Sequence, residues 1–277
     1  MTNSFRSILV LLTLTSLYAC QEQCPLLSNT PNDTTQTTQQ KNILIEEFTG
    51  VKCVQCPEGH DIAQNIADAN NGRVEIVSIH SGFYAVPYNF SLYNFKIAEG
   101  TAIENLVGPA SFYPTAAIDR KLYSGQTELL MDKNFWAGNA TAQLQEPLRV
   151  KVNFDNAYNP GDRKLTVNFN FEYLEDITDA QSVSVLITEN DIIDAQETPD
   201  GIDTFYIHKH VLRAVLTSAI GDLVTEATPA GTILNRNYSF TLPAAWNDTK
   251  CRVVAFIARN TPDSKEVLQV NAEYIRQ

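Results

Sequence analysis

Cys53 and Cys56 stand three positions apart, just after a Gly turn that closes the apolar run Ile43-Leu44-Ile45-Glu46-Glu47-Phe48-Thr49-Gly50. Such a pair can pass between dithiol and disulfide: one thiolate attacks a substrate sulfur and its neighbour resolves the mixed disulfide. Residues 57–69 carry a helical pattern, so the pair is delivered to a helix N-terminus. Unpaired amide donors and about half a positive charge gather there, which stabilises a thiolate and makes Cys53 the natural attacking sulfur. Glu47 lies six residues before Cys53, at the end of a strand whose apolar neighbours imply burial on both faces. A carboxyl in that setting has a raised pKa and can accept the proton of Cys56.

The elements that position these groups follow from hydrophobic period. The run before the pair is a strand. Arg73-Val74-Glu75-Ile76-Val77-Ser78-Ile79-His80 is a second buried strand, and the helical connection between the two makes them parallel. Residues 82–108, rich in Tyr and Phe, form a partly helical insertion. A closing helix is expected over Glu128–Leu144, with Leu129, Leu130, Phe135, Trp136 and Leu144 on its apolar stripe.

The order strand, Cys-x-x-Cys, helix, with an acid upstream, resembles the thioredoxin fold, in which the equivalent acid is the buried proton acceptor. A second match is Phe112-Tyr113-Pro114-Thr115-Ala116-Ala117-Ile118-Asp119. The resemblance implies that Pro114 is cis and faces the dithiol. The wording Glu-Glu-Phe-Thr-Gly followed by Cys-x-x-Cys-Pro, together with Tyr-Pro-Thr-Ala, also resembles the 28-kDa outer-membrane-protein-related lipoproteins of Bacteroidetes. These have a thioredoxin-like domain followed by β-structure, and the resemblance covers nearly the whole mature chain. Two departures from active thioredoxins stand out: Lys52 occupies the usual Trp position before the first cysteine, and Val54-Gln55 replaces Gly-Pro.

Residues 1–19 have the form of a secretory signal, with Arg6 as the one positive charge and an apolar stretch from Ser7 to Leu17. Leu17-Tyr18-Ala19-Cys20 looks like a lipobox, so Cys20 is the expected lipidation site, although Tyr18 stands where a small residue is usual. Gln21 favours the outer membrane. Residues 25–41 carry almost no apolar mass, so 20–40 are expected to be the lipidated cysteine and a disordered tether with a reach of about 25 Å. The net charge of −12 becomes more negative once Arg6 is removed, which argues against nucleic acid and against adsorption to anionic lipid. Attachment to the membrane then rests on the lipid, with the protein facing the periplasm or the cell surface.

From Leu148 the hydrophobic period becomes two. Strands fit 150–154, 165–171, 183–188, 211–216, 238–242, 252–258 and 267–272, which implies an antiparallel β-sandwich. The expected organisation is therefore an α/β thioredoxin-like domain over residues 41–146, then a β-sandwich domain over 147–277. His208-Lys209-His210 puts two imidazoles on one face if it lies in a strand, half of a metal site that lacks an identifiable third ligand; a surface or turn pair is the plainer reading. Asp191, Asp194, Glu197, Asp200 and Asp203 read as a solvated acidic loop without calcium-loop spacing. No motif calls for a cofactor or a metal. Cys24 and Cys251 are left over in an oxidising compartment, either bridged to each other or with Cys251 as a buried free thiol.

Two functions fit. In the first, the β-sandwich binds partners or assembles with envelope proteins, and the Cys53–Cys56 bond is a staple. In the second, the protein is an envelope thiol–disulfide oxidoreductase that uses Cys53, Cys56, Glu47 and Pro114. The missing Trp and the attached sandwich favour binding or assembly as the main role.

Overall fold

The computed structural model describes residues 39–276. The expected signal, the expected lipidation site Cys20, Cys24 and most of the expected tether lie outside these residues. The described residues form one compact unit.

The chain enters through β1 (Ile43–Thr49), α1 (Cys56–Ala69) and β2 (Val74–His80), and β1 and β2 pair in parallel as expected. Next come α2 (Ala98–Val107), β3 (Thr115–Ile118), which runs antiparallel to β1, and the short β4 (Met131–Asp132). The helix expected over Glu128–Leu144 shrinks to α3 (Trp136–Gln143). The Asp132 carboxylate accepts the Asn134 N–H and starts a 3-10 turn, so Leu129 and Leu130 stay outside the helix and Phe135 is exposed.

The second half supplies β5 (Val150–Phe154), β6 (Ala157–Asn159), β7 (Lys164–Tyr173), β8 (Gln181–Glu189), β9 (Ile192–Thr198), β10 (Gly201–His208), β11 (Val211–Val215), β12 (Asp222–Leu223), β13 (Ile233–Thr241), β14 (Cys251–Arg259) and β15 (Val267–Tyr274). All seven strands expected there are present. Their sheets are arranged differently from the expectation. β5, β6, β7 and β13 form a four-stranded antiparallel sheet, whereas β8, β11, β14 and β15 continue the sheet of β1–β4 in the order β15-β14-β8-β11-β2-β1-β3-β4.

The change of period near Pro147 is therefore not a boundary between two separately folded sheets. β11 is the join: it pairs in parallel with β2 at Val211 and Ser78, and antiparallel with β8. Backbone satisfaction drives this, because β2 has a second buried edge whose N–H and C=O groups need partners.

The large sheet curls until β15 approaches the start of β1. Val267 donates to the Asp119 carbonyl (2.8 Å), and Asn42 N–H donates to Gln269 Oε1 (2.8 Å). The inside of the curl is one core, which includes Leu44, Phe48, Val77, Ile79, Leu186, Leu212, Val254 and Phe256, with Ile103 and Val107 of α2 packed into it. Glu46 points the same way and is neutralised by Arg120 through two bonds of 2.6 Å, with the guanidinium over the Phe256 ring.

Ile43 and Ile45 face outward against α1 and α3, and Val183, Val185, Val253 and Ala255 face outward against the four-stranded sheet. Strict period-two alternation thus gives β1 and β2 an outer face on which Glu47, Thr49, Ser78 and His80 lie beside α1. At the N-terminal edge, Gln39 exchanges two hydrogen bonds of 2.9 Å with the Val152 backbone, so chain expected to be tether is already docked there. Among the described residues no helix is long and apolar enough to cross a membrane.

Candidate functional site

Cys53 and Cys56 are joined in a disulfide at the start of α1, with Cα atoms 5.3 Å apart. The Cys53 amide closes the Gly50 turn (3.0 Å) and the Cys56 amide bonds back to the Cys53 carbonyl (3.2 Å). The helix has no side-chain cap at Gln55, and Pro57 occupies its first turn, where a missing N–H costs nothing. Tyr113-Pro114 is cis, as the resemblance implied, and Pro114 is buried. A Cβ on Gly59 would lie 2.7 Å from the Pro114 Cβ and 2.9 Å from Glu47 Oε1. Glycine at this position lets α1, one turn beyond Cys56, settle directly on both residues.

Glu47 is buried. Its Oε2 accepts from Ser78 Oγ at 3.3 Å, and its Oε1 has no hydrogen-bond partner, with the imidazole nitrogen His60 Nε2 3.7 Å away. Burial raises its pKa to about 8, with the Ser78 bond pulling weakly the other way. A cavity of about 80 Å³ opens between Glu47, His60, Ser78, Tyr206 and His210. The larger cleft of about 520 Å³, between residues 176–181 and 224–229, contains none of these groups.

The acidic stretch is a hairpin, not a solvated loop. β9 and β10 pair with each other and with neither large sheet, and they lie over the dithiol. Gln196 is fully buried and its Nε2 donates to the carbonyls of Gly50 (3.3 Å) and Cys53 (3.0 Å). Glu197 N–H donates to the Val51 carbonyl at 2.7 Å. The Asp194 carboxylate accepts the amides of Leu92 and Tyr93, and Glu197 accepts from Tyr88 Oη. Lys52 lies over the Tyr88 ring. Under this cover Cys53 is 4 % exposed and Cys56 0 %. The turn signal that marks the hairpin, Pro199-Asp200-Gly201 between two Ile-bearing stretches, is visible in the sequence, and Gly201 takes φ +114°.

The protein has four histidines, and all gather around this site. His60, one turn after Cys56, contacts Thr49 Oγ1 (2.9 Å) through Nε2 and Tyr206 Oη (2.7 Å) through Nδ1. His80 and His208 face each other with ring centres 5.7 Å apart and Phe95 against both; neither imidazole has a hydrogen-bond partner. The strand ends at His208, and His210 follows in a left-handed turn with Nε2 on Gln64 (3.1 Å). The pair is therefore neither at the surface nor on one strand face. Burial first, and then the neighbouring imidazoles of His208 and His210, push His60 down to about 3; burial pushes His208 and His210 down to about 4 and holds His80 well below its ordinary value. Among the described residues no three side chains of metal-binding type converge.

The structure thus brings Cys53, Cys56, Glu47 and Pro114 together, and adds His60, His80, Gln196, Tyr206 and His208, which no local pattern in the sequence ties to them. Cys251 lies elsewhere, fully buried between the large sheet and the four-stranded sheet. Burial raises its thiol to about 12, and it carries no disulfide among the described residues. Its expected alternative partner, Cys24, is outside them.

The fold is shared with solved structures of low sequence identity. HBP35 of Porphyromonas gingivalis superposes with a TM-score of 0.64 at 18 % identity, covering 85 % of this chain and 76 % of that one. Protein AGR_C_4864 from Agrobacterium tumefaciens gives 0.52 at 14 % identity, over 86 % of this chain and 96 % of that one. No curated protein matches the sequence. The model of the family described as outer membrane protein Omp28 matches residues 104–277, a span that includes Pro114 and the hairpin but starts after the cysteine pair. The chain belongs to the Omp28 outer membrane protein family.

Proposed function

We propose that this outer membrane protein carries a thioredoxin-like unit that exchanges thiols and disulfides at Cys53–Cys56. The observation that carries the reading is Glu47: a buried carboxyl with one free oxygen, pKa about 8, packed on the first turns of α1. With the pair oxidised, Glu47 is protonated at neutral pH and poised as a general acid. An incoming thiolate attacks Cys53 Sγ, the Cys53–Cys56 bond breaks, and Cys56 leaves as a thiolate that takes the Glu47 proton. A second thiol then displaces Cys53, so the pair gains two electrons and the attacking dithiol becomes a disulfide. In the reverse direction Glu47 accepts the Cys56 proton. Tyr113-Pro114 forms the wall beside the pair along which a substrate chain would lie.

The reduction potential tests this reading. A value above about −300 mV supports exchange, and a value well below it makes the bond a structural staple. One observation favours the second reading, a lipoprotein that binds or assembles with envelope proteins through its sandwich: both sulfurs are covered in the closed structure. In either case we place the anchor at Cys20. Cys20→Ser should shift the protein from the membrane fraction to the soluble periplasm, and persistence in the membrane would reject the lipid anchor.

A further inference from the structure

We infer that the β9–β10 hairpin is a lid over the Cys53–Cys56 bond, latched by Gln196, and that exchange proceeds from its open state. This inference rests on the thiol-exchange reading and concerns how that site is regulated. A thiolate must reach Cys53 Sγ in line with the disulfide, and the closed hairpin leaves Cys53 only 4 % exposed.

The hairpin is built to move as a unit. It has its own ladder and no ladder to either sheet, and an isolated two-stranded hairpin is marginal in water. It leaves the large sheet after β8 and returns before β11. At these two points Asp191 (φ +60°) and His210 (φ +54°) take left-handed conformations, so the bends that would act as hinges flank the moving element. Polar contacts to the dithiol frame hold it down: Gln196 to Gly50 and Cys53, Glu197 to Val51, and Tyr206 to His60. Water can replace each of these on opening. Phe205 and Ile207 already face solvent on the far side, so the apolar contacts that opening must break are those of Ile192, Ala195 and the His208 ring on the inner side.

Gln196 is the latch because it alone among these side chains binds the carbonyl of the attacking cysteine itself. Its loss leaves the Gly50 and Cys53 carbonyls without that donor and shifts the local equilibrium toward the open state. It is a positioning residue, since it touches neither the sulfurs nor the transferred proton.

The test is the rate at which dithiothreitol reduces the full chain. Gln196→Ala should be reduced about tenfold faster than the natural protein, a shift of the size expected for removing a buried hydrogen-bonding group. The equilibrium ratio of reduced to oxidised protein in a fixed dithiothreitol buffer should change far less. Equal rates in a folded Gln196→Ala variant would overturn the lid. Should that variant fold poorly, amide exchange of the natural protein decides. The Glu197 amide should exchange faster than the central amides of β8 and β14, and exchange of Glu197 only on global unfolding would also overturn it. Failure of the thiol-exchange reading would appear instead in the reduction potential, which neither the rate ratio nor the amide exchange reports.

Discussion

Reduced protein carrying Cys56→Ser is expected to accumulate mixed disulfides with a model substrate, while Cys53→Ser forms none. The asymmetry follows from geometry. Cys53 sits in the turn that leads into α1, and its carbonyl accepts from Gln196; Cys56 is the first residue of the helix and is completely buried. Once the substrate is bonded to Cys53, only Cys56 can resolve it, and serine cannot. Glu47→Gln should leave the first attack nearly unchanged and slow resolution by two orders of magnitude or more, on the order of 10²–10⁴ for a lost proton-transfer group. Quenched-flow trapping with an alkylating agent and mass analysis of the adducts reads all three variants. Trapping at Cys56 in the Cys53→Ser protein, or no adduct in either variant, would reverse the assignment.

Acid is expected to destabilise the protein through its histidines. Each of the four is held neutral in the fold, with His60 at about 3 and His208 and His210 at about 4, whereas an unfolded imidazole titrates near 6.5. As pH falls below 6.5 the unfolded chain takes up protons that the folded chain refuses. The stability these groups provide is therefore complete above about 6.5 and drains away toward pH 4, by up to about 1.4 kcal/mol per pH unit for each histidine. Buried carboxyls work in the opposite sense: Glu47, at about 8, lowers stability as pH rises from its unfolded value. Comparison with a variant removes that background. In His80→Phe, which retains the packing against Phe95 and His208, the acid limb of urea denaturation between pH 6 and 4 should be shallower by about one proton. Parallel limbs for the two proteins would show that His80 does not titrate in this way.

Much of the site was legible in the sequence because it is local. The β-branched run, the Gly50 turn and the helical period after Pro57 set a strand, a turn and a helix in immediate succession, and covalent chain length alone brings Glu47, Cys53 and Cys56 together. The cis Tyr113-Pro114 was reachable only through the resemblance, since no local rule ties it to residues some sixty positions earlier. The hairpin was missed for an instructive reason. Its inner face is largely polar, with Asp194, Gln196 and Tyr206 facing backbone amides, backbone carbonyls and an imidazole, and Ile192 packed beside Val51 and Phe95. Hydrophobic period therefore reads it as solvated, and only Pro199-Asp200-Gly201 betrayed the turn.

What the sequence determined by itself was the parallel β1-α1-β2 frame, the dithiol at the helix start, the acid beneath it and the positions of the later strands, because these depend on residue period and short-range chain geometry. Tertiary structure alone decided that β11 closes the free edge of β2, so that the two expected domains share one curled sheet. That choice returns the chain beside β2 and places the hairpin, through Gln196, on the carbonyl of a cysteine some 140 residues away. The physical reason is the need of buried backbone groups for partners: which strand satisfies an open edge is a competition among distant segments, and no local pattern records its outcome.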